Sequence, residues 1–95
     1  MAIMTQAEYA ALRAGYDESA RYARAGGRAQ YINPHPWGSR LFRFFEFGYY
    51  LHEKGLTLGA IDYWQTGRGG VFKSPSGHAF KLWCDKNGLG ITRVN

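Results

Sequence analysis

The sequence predicts an α+β fold: an N-terminal helical hairpin, a short third helix or loop, and a small C-terminal three-stranded antiparallel sheet. Three observations carry this expectation. An Ala- and Arg-rich stretch with apolar residues every three or four positions opens the chain. An aromatic run bounded by Ser39 and Gly55 follows it. After Gly69-Gly70 the pattern changes to alternation around turn-forming residues. At 95 residues the chain fits one domain, with residues 5–55 as the helical part and 56–95 as the helix or loop plus the meander.

The first helix opens at Thr5. Thr5-Gln6-Ala7-Glu8 has the form of a capping box, in which hydroxyl and carboxylate each satisfy a free backbone N–H. Tyr9, Leu12, Tyr16, Ala20 and Ala23 fall on one stripe, and Gly26-Gly27 ends the helix. Gly15 interrupts the pattern at a cost of roughly 1 kcal/mol relative to Ala, which points to close approach by another backbone. Antiparallel packing through Gly15 and Gly48 is expected, with Tyr16, Phe45 and Tyr49 in the seam.

Residues 27–38 read as a loop, because each proline of Asn33-Pro34-His35-Pro36 disfavours helix in the residue before it. Ser39 is a good N-cap for a second helix, Arg40 to Lys54, closed by Gly55. Phe42, Phe44, Phe45, Phe47, Tyr49 and Tyr50 go most of the way round that helix. A helix apolar on all sides is normally covered on all sides, so either the C-terminal half packs on it or part of it is an interface. Thr57 could cap a short third helix carrying Leu58, Ile61 and Trp64, closed by Gly67.

Val71–Ser74 and His78–Cys84 read as strands flanking the turn Ser74-Pro75-Ser76-Gly77. Asp85-Lys86-Asn87-Gly88 reads as a second turn, and Gly90–Val94 as a third strand. Alternation allows two arrangements: Phe80 and Leu82 face the helices with Trp83 outward beside Ala79 and Lys81, the one preferred here, or residues 56–70 cover Trp83 and leave His78 and Phe80 outside.

Charge and composition narrow the function classes. The net charge is +5, from twelve Lys and Arg against seven Asp and Glu, which favours an acidic partner. Six Phe, seven Tyr and three Trp supply rings that serve as core, as stacking surface or as interface anchors. The single cysteine, Cys84, excludes an internal disulfide and a cysteine-based zinc site. No apolar run reaches membrane-spanning length and no secretory signal opens the chain, so a cytoplasmic protein is expected, in the host cytoplasm if the source is viral.

No convincing catalytic or metal constellation stands out. His35, His52 and His78 lack metal-site spacing. Cys84 and His78 on one strand would be about 20 Å apart, too far for proton transfer. Gly67-Arg68-Gly69-Gly70 has the composition of a phosphate loop without its Gly-Lys-Ser/Thr ending. No cofactor, metal or membrane contact is expected, and a non-catalytic role follows.

The candidate contact residues are basic or aromatic. Arg21, Arg24 and Arg28 share one helix face, near Arg13, either as a contact surface or as a solvated face with Asp17 and Glu18 pairing to some of the arginines, and Arg40, Arg43, Lys73, Lys81 and Arg93 could extend such a surface. Arg68 and Trp83 join them, and His35 and Trp37 are candidate loop contacts, His35 either as a stacking or metal-binding ring or as loop packing over the helices.

One resemblance bears on function. Ala20-Arg21-Tyr22-Ala23-Arg24-Ala25-Gly26, Asn33-Pro34-His35-Pro36 and Gly38-Ser39 occur in order, followed by Phe45 and Gly48-Tyr49. Over residues 15–54 this resembles the ribosome modulation factor family, including small plasmid and phage relatives once described as ciprofloxacin-modifying proteins. The family commonly has Trp where this chain has Phe45, and Gly-Trp where it has Gly48-Tyr49. The resemblance implies a two-helix fold and an RNA- or ribosome-associated role. This chain is less basic, carries Phe where the family often has polar residues in the second helix, and adds 40 residues. Three readings follow: an RNA- or ribosome-binding protein, a phage inhibitor of a host protein complex such as a CRISPR or other defence nuclease, and a small nucleotide- or drug-modifying enzyme.

Overall fold

A computed structural model describes residues 4–26, 32–59, 61–62 and 75–88. The chain divides into two compact units, one of Thr5–Gly55 and one of Leu56–Asn95 with Met1–Met4.

In the first unit, helix α1 spans Gln6–Arg24 and helix α2 spans Arg40–Glu53. The Thr5 capping box is complete: the Glu8 N–H donates to Thr5 Oγ1 at 3.1 Å, and the Thr5 N–H donates to Glu8 Oε1 at 2.9 Å. Ser39 caps α2 by accepting from the Phe42 N–H at 3.1 Å. The glycines mark where the helices cross. A Cβ on Gly48 would stand 1.8 Å from the Leu12 carbonyl oxygen, and one on Gly15 would stand 1.9 Å from that of Phe45. The backbones therefore touch directly, which only residues without a side chain permit.

The direction of α2 departs from the expected hairpin. Glu8, early in α1, pairs with Arg40 at the start of α2, and Ser19, late in α1, meets His52 near the end of α2. The two helices run in the same sense rather than antiparallel. The connection makes this feasible: α1 is about 28 Å long, and the fifteen residues from Ala25 to Ser39 can reach back along it. On the way, the Ile32 N–H donates to Glu18 Oε2 at 3.3 Å. Asn33 then clips the loop down: its side chain donates to the Phe42 carbonyl at 3.2 Å and accepts from the His35 N–H at 3.1 Å.

The second unit corrects the predicted sheet. Residues Pro75–Lys86 form helix α3, and no strand occurs among the described residues, so the fold described is all-helical and not α+β. Pro75 takes the first helical position, where a missing N–H costs nothing. Ser76, Gly77, Phe80 and Cys84 make the buried stripe, whereas Leu82 is 55% exposed. Phe80 and Cys84 are four apart, which satisfies a helical period as well as strand alternation. The Asn-Gly pair stops the helix instead of turning a hairpin: Gly88 has φ +69°, and Asn87 donates to the Trp83 carbonyl from backbone and side chain. Before α3, Gly59, Ile61 and Asp62 are helical, and the Asp62 N–H donates to the Leu58 carbonyl at 2.8 Å, in keeping with the short third helix. Trp64, Gly67, the segment 71–74 and the third strand at 90–94 lie outside the described residues.

Candidate nucleic-acid interface

The predicted contact residues have separate fates. Arg21 grips Glu18 with two hydrogen bonds, 2.8 Å from Nε and 2.6 Å from Nη2. Arg40 is held by Glu8 and lies over the Phe44 ring, 5.6 Å from its centroid. Both remain about half exposed, and the Arg21–Glu18 pair is of the kind that the solvated-face reading expects. The Glu18 carboxyl reflects the pairing: the Arg21 hydrogen bond outweighs burial and holds it below the usual range. For Glu8, burial pushes the carboxyl up, but the Thr5 N–H and Arg40 outweigh it and the net direction is down.

Arg24 and Arg43 are exposed, with no carboxylate partner among the described residues. Arg28 and Arg68 lie outside the described residues, as do Lys73 and Arg93. Arg13 bonds the Tyr9 hydroxyl at 3.4 Å. Lys81 bonds Asp85 at 2.7 Å on α3. Trp83, expected to point outward from a strand, is only partly exposed and stacks on Phe80 at 6.0 Å with 19° between the rings. A helical period turns it toward Phe80, so it is not the exposed anchor that strand alternation suggested. His78 is exposed and Cys84 buried, which separates that pair as well.

His35 packs edge-on against Phe45, 6.0 Å between centroids, which makes it a half-buried support of the loop. Trp37 is different: it is 88% exposed. Local geometry holds it there. The Ser39 N–H donates to the Pro36 carbonyl at 3.0 Å, and Gly38 takes φ +75°, so Trp37 sits at the tip of a tight turn. Its ring leans on Phe42, 4.9 Å away at 61°.

An exposed stripe also runs along α2. Arg43, Tyr50 and Lys54, spaced seven and four apart, fall within about 40° of arc and span about 16 Å. All three are exposed, and the Lys54 ammonium lies 5.8 Å from the Tyr50 ring centroid. The buried Phe44, Phe45, Gly48 and Leu51 lie further round α2, and the buried Phe47 sits beside the stripe, stacked on Tyr50 at 6.1 Å with 24° between the rings. Sequence reasoning singled out Trp37 and Arg43 but missed Tyr50 and Lys54. The spacing was readable, but in a helix ringed with aromatics it did not say which side met water. Glu46, beside the stripe, is half-buried, and burial pushes its carboxyl up.

One pair has the residue types of a nucleophile and base. Ser19 Oγ lies 2.9 Å from His52 Nδ1, with Tyr16 edge-on to the imidazole at 5.0 Å. Ser19 stands inside α1, where backbone N–H groups are committed to the helix and cannot form an oxyanion hole. Among the described residues nothing orients the ring from its other nitrogen, so the arrangement lacks the third group that such catalysis uses. The described residues also include no group of three His, Cys, Asp or Glu placed to hold a metal, and no helix long and apolar enough to cross a membrane.

In comparison with known proteins, the chain matches no family model, no curated protein and no solved structure.

Proposed function

We propose that this chain is a non-catalytic RNA-binding module that lays the Trp37 turn and the outward stripe of α2 against unpaired RNA. The carrying observation is a set of exposed rings and cations, Trp37 at the turn before α2 and Arg43, Tyr50 and Lys54 along one stripe of it. Rings stack on bases of any sequence, and cations between them meet phosphates, the combination used by single-strand binders. The +5 net charge supports the same reading, and the resemblance of residues 15–54 to the ribosome modulation factor family makes ribosomal RNA the target class. Trp37 is held by the turn and Tyr50 by the helix, so little ordering is required on binding.

The test is RNA binding across a salt series. Trp37→Ala and Tyr50→Ala are each expected to weaken binding by about 1–3 kcal/mol, roughly fivefold to a hundredfold. Arg43→Ala with Lys54→Ala is expected to flatten the log–log salt slope by about 0.7 for each phosphate no longer neutralised. Wild-type protein that fails to bind RNA, or folded variants that bind as wild type does, would overturn the reading.

A second reading has one observation in its favour. Trp37 stands 88% exposed at the tip of its turn. A single exposed Trp also suits a protein pocket, as a phage inhibitor of a host complex would need. Binding to a protein partner that barely responds to salt, together with no RNA binding, selects it.

A further inference from the structure

The ends of α1 and α2 enclose a cleft of about 240 Å³ lined by Ser19, Tyr22, Ala23, Tyr49, His52 and Glu53. It lies wholly within the first unit and has no part in the RNA reading. Its chemistry is opposite in sign to the rest of the chain. Two tyrosines and one carboxylate line it, and no Lys or Arg does. The floor is built: Ser19 is buried and its hydroxyl is engaged by His52 at 2.9 Å, while Tyr16 fixes the imidazole edge-on.

We infer that this cleft is a binding site for a single organic cation, a guanidinium or alkylammonium group, held by the Tyr22 and Tyr49 rings and the Glu53 carboxylate. Aromatic faces attract cations through their negative quadrupole, and the attraction grows when the cation is partly desolvated. A carboxylate at the rim adds a charge-assisted hydrogen bond. The local field agrees in sign. Burial raises the Tyr49 hydroxyl above its ordinary value, and the Glu53, Glu18 and Glu46 carboxylates push it further. An anion such as an RNA phosphate would meet the same field as repulsion, which sets this cleft apart from the α2 stripe.

The cation has two natural sources, a free small-molecule amine and an arginine or lysine side chain of a protein partner. Titration of the intact chain with methylguanidinium, followed by NMR at the His52 and Tyr49 ring signals, reads the site directly. Urea serves as the uncharged analogue of the same shape. Saturable shifts with methylguanidinium and none with urea are expected. Glu53→Gln and Tyr22→Leu should each raise the dissociation constant about fivefold or more. Glu53 is exposed at the last turn of α2, so its conservative replacement leaves the fold in place. A blocked Ala-Arg-Ala peptide that binds more tightly than methylguanidinium identifies a protein-borne side chain, and equal binding identifies a free amine. Absent saturation in wild type, equal shifts with urea, or unchanged binding in both folded variants would overturn the inference.

Discussion

At the scale of single residues, two glycines matter most, because nothing larger fits where the backbones of α1 and α2 touch. A methyl group at Gly48 would sit 1.8 Å from a carbonyl oxygen of Leu12, which belongs to rigid helix and cannot swing away. Gly48→Ala must therefore separate the helices. It is expected to cost roughly 1–3 kcal/mol, although Ala is the better helix former, and a thermal melt checks it. A melting temperature equal to or above that of wild type would refute backbone contact at this crossing. Glu46 offers a second residue-scale test. Burial raises its carboxyl, so the folded state holds that proton more tightly than the unfolded chain does. Its ionisation therefore removes stability as pH rises from the ordinary carboxylate range through the raised value. Glu46→Gln should raise the melting temperature at neutral pH, and the gain should vanish in acid below the unfolded-state value. A gain of equal size at both pH values would mean that ionisation is not its cause.

At the scale of elements, α3 is where periodicity misleads. His78, Phe80, Leu82 and Cys84 alternate along the sequence, but in the helix Phe80 and Cys84 are fully buried and Leu82 is not. Helix and strand assign different costs to the same substitutions. On a helix, Phe80→Ala should destabilise by about 3–5 kcal/mol and Leu82→Ala by well under 1. On a strand, with both residues on the inner face, the two costs would be comparable. Chemical denaturation of the two variants separates these outcomes. The turn before α2 shows the converse, since the Ser39 N–H to Pro36 carbonyl bond and the Gly38 conformation set the local geometry that presents Trp37.

At the scale of the whole molecule, charge has to be counted after pairing. Glu8 with Arg40, Glu18 with Arg21 and Asp85 with Lys81 pair three partly exposed cations. Along α2 and its C-cap, Arg43 and Lys54 are exposed without a carboxylate partner among the described residues, interleaved with Tyr50. The same pairs make stability depend on pH. Glu8 and Glu18 are both held below their ordinary values, so the unfolded chain binds their protons more tightly. Their contribution is present above the unfolded-state value and is lost as pH falls through the folded ones, opposite in sign to that of Glu46.

The sequence by itself determined what depends on neighbours within a few residues: α1 and α2 with their Thr5 and Ser39 caps, and the proline-bearing loop before α2. These follow from backbone hydrogen bonds and steric limits that close over three or four positions. Tertiary structure decided the rest. Glu8 pairs with Arg40 across 32 residues, a pairing no local pattern encodes. The parallel sense of α2 follows from contacts between the helices and a connection long enough to allow it. Which arc of an all-aromatic helix meets water, and with it Tyr50 and Lys54, depends on where the backbones cross at Gly15 and Gly48. The choice of helix for Pro75–Lys86 likewise lies with burial, because Phe80 and Cys84 fit both periods and only packing tells them apart.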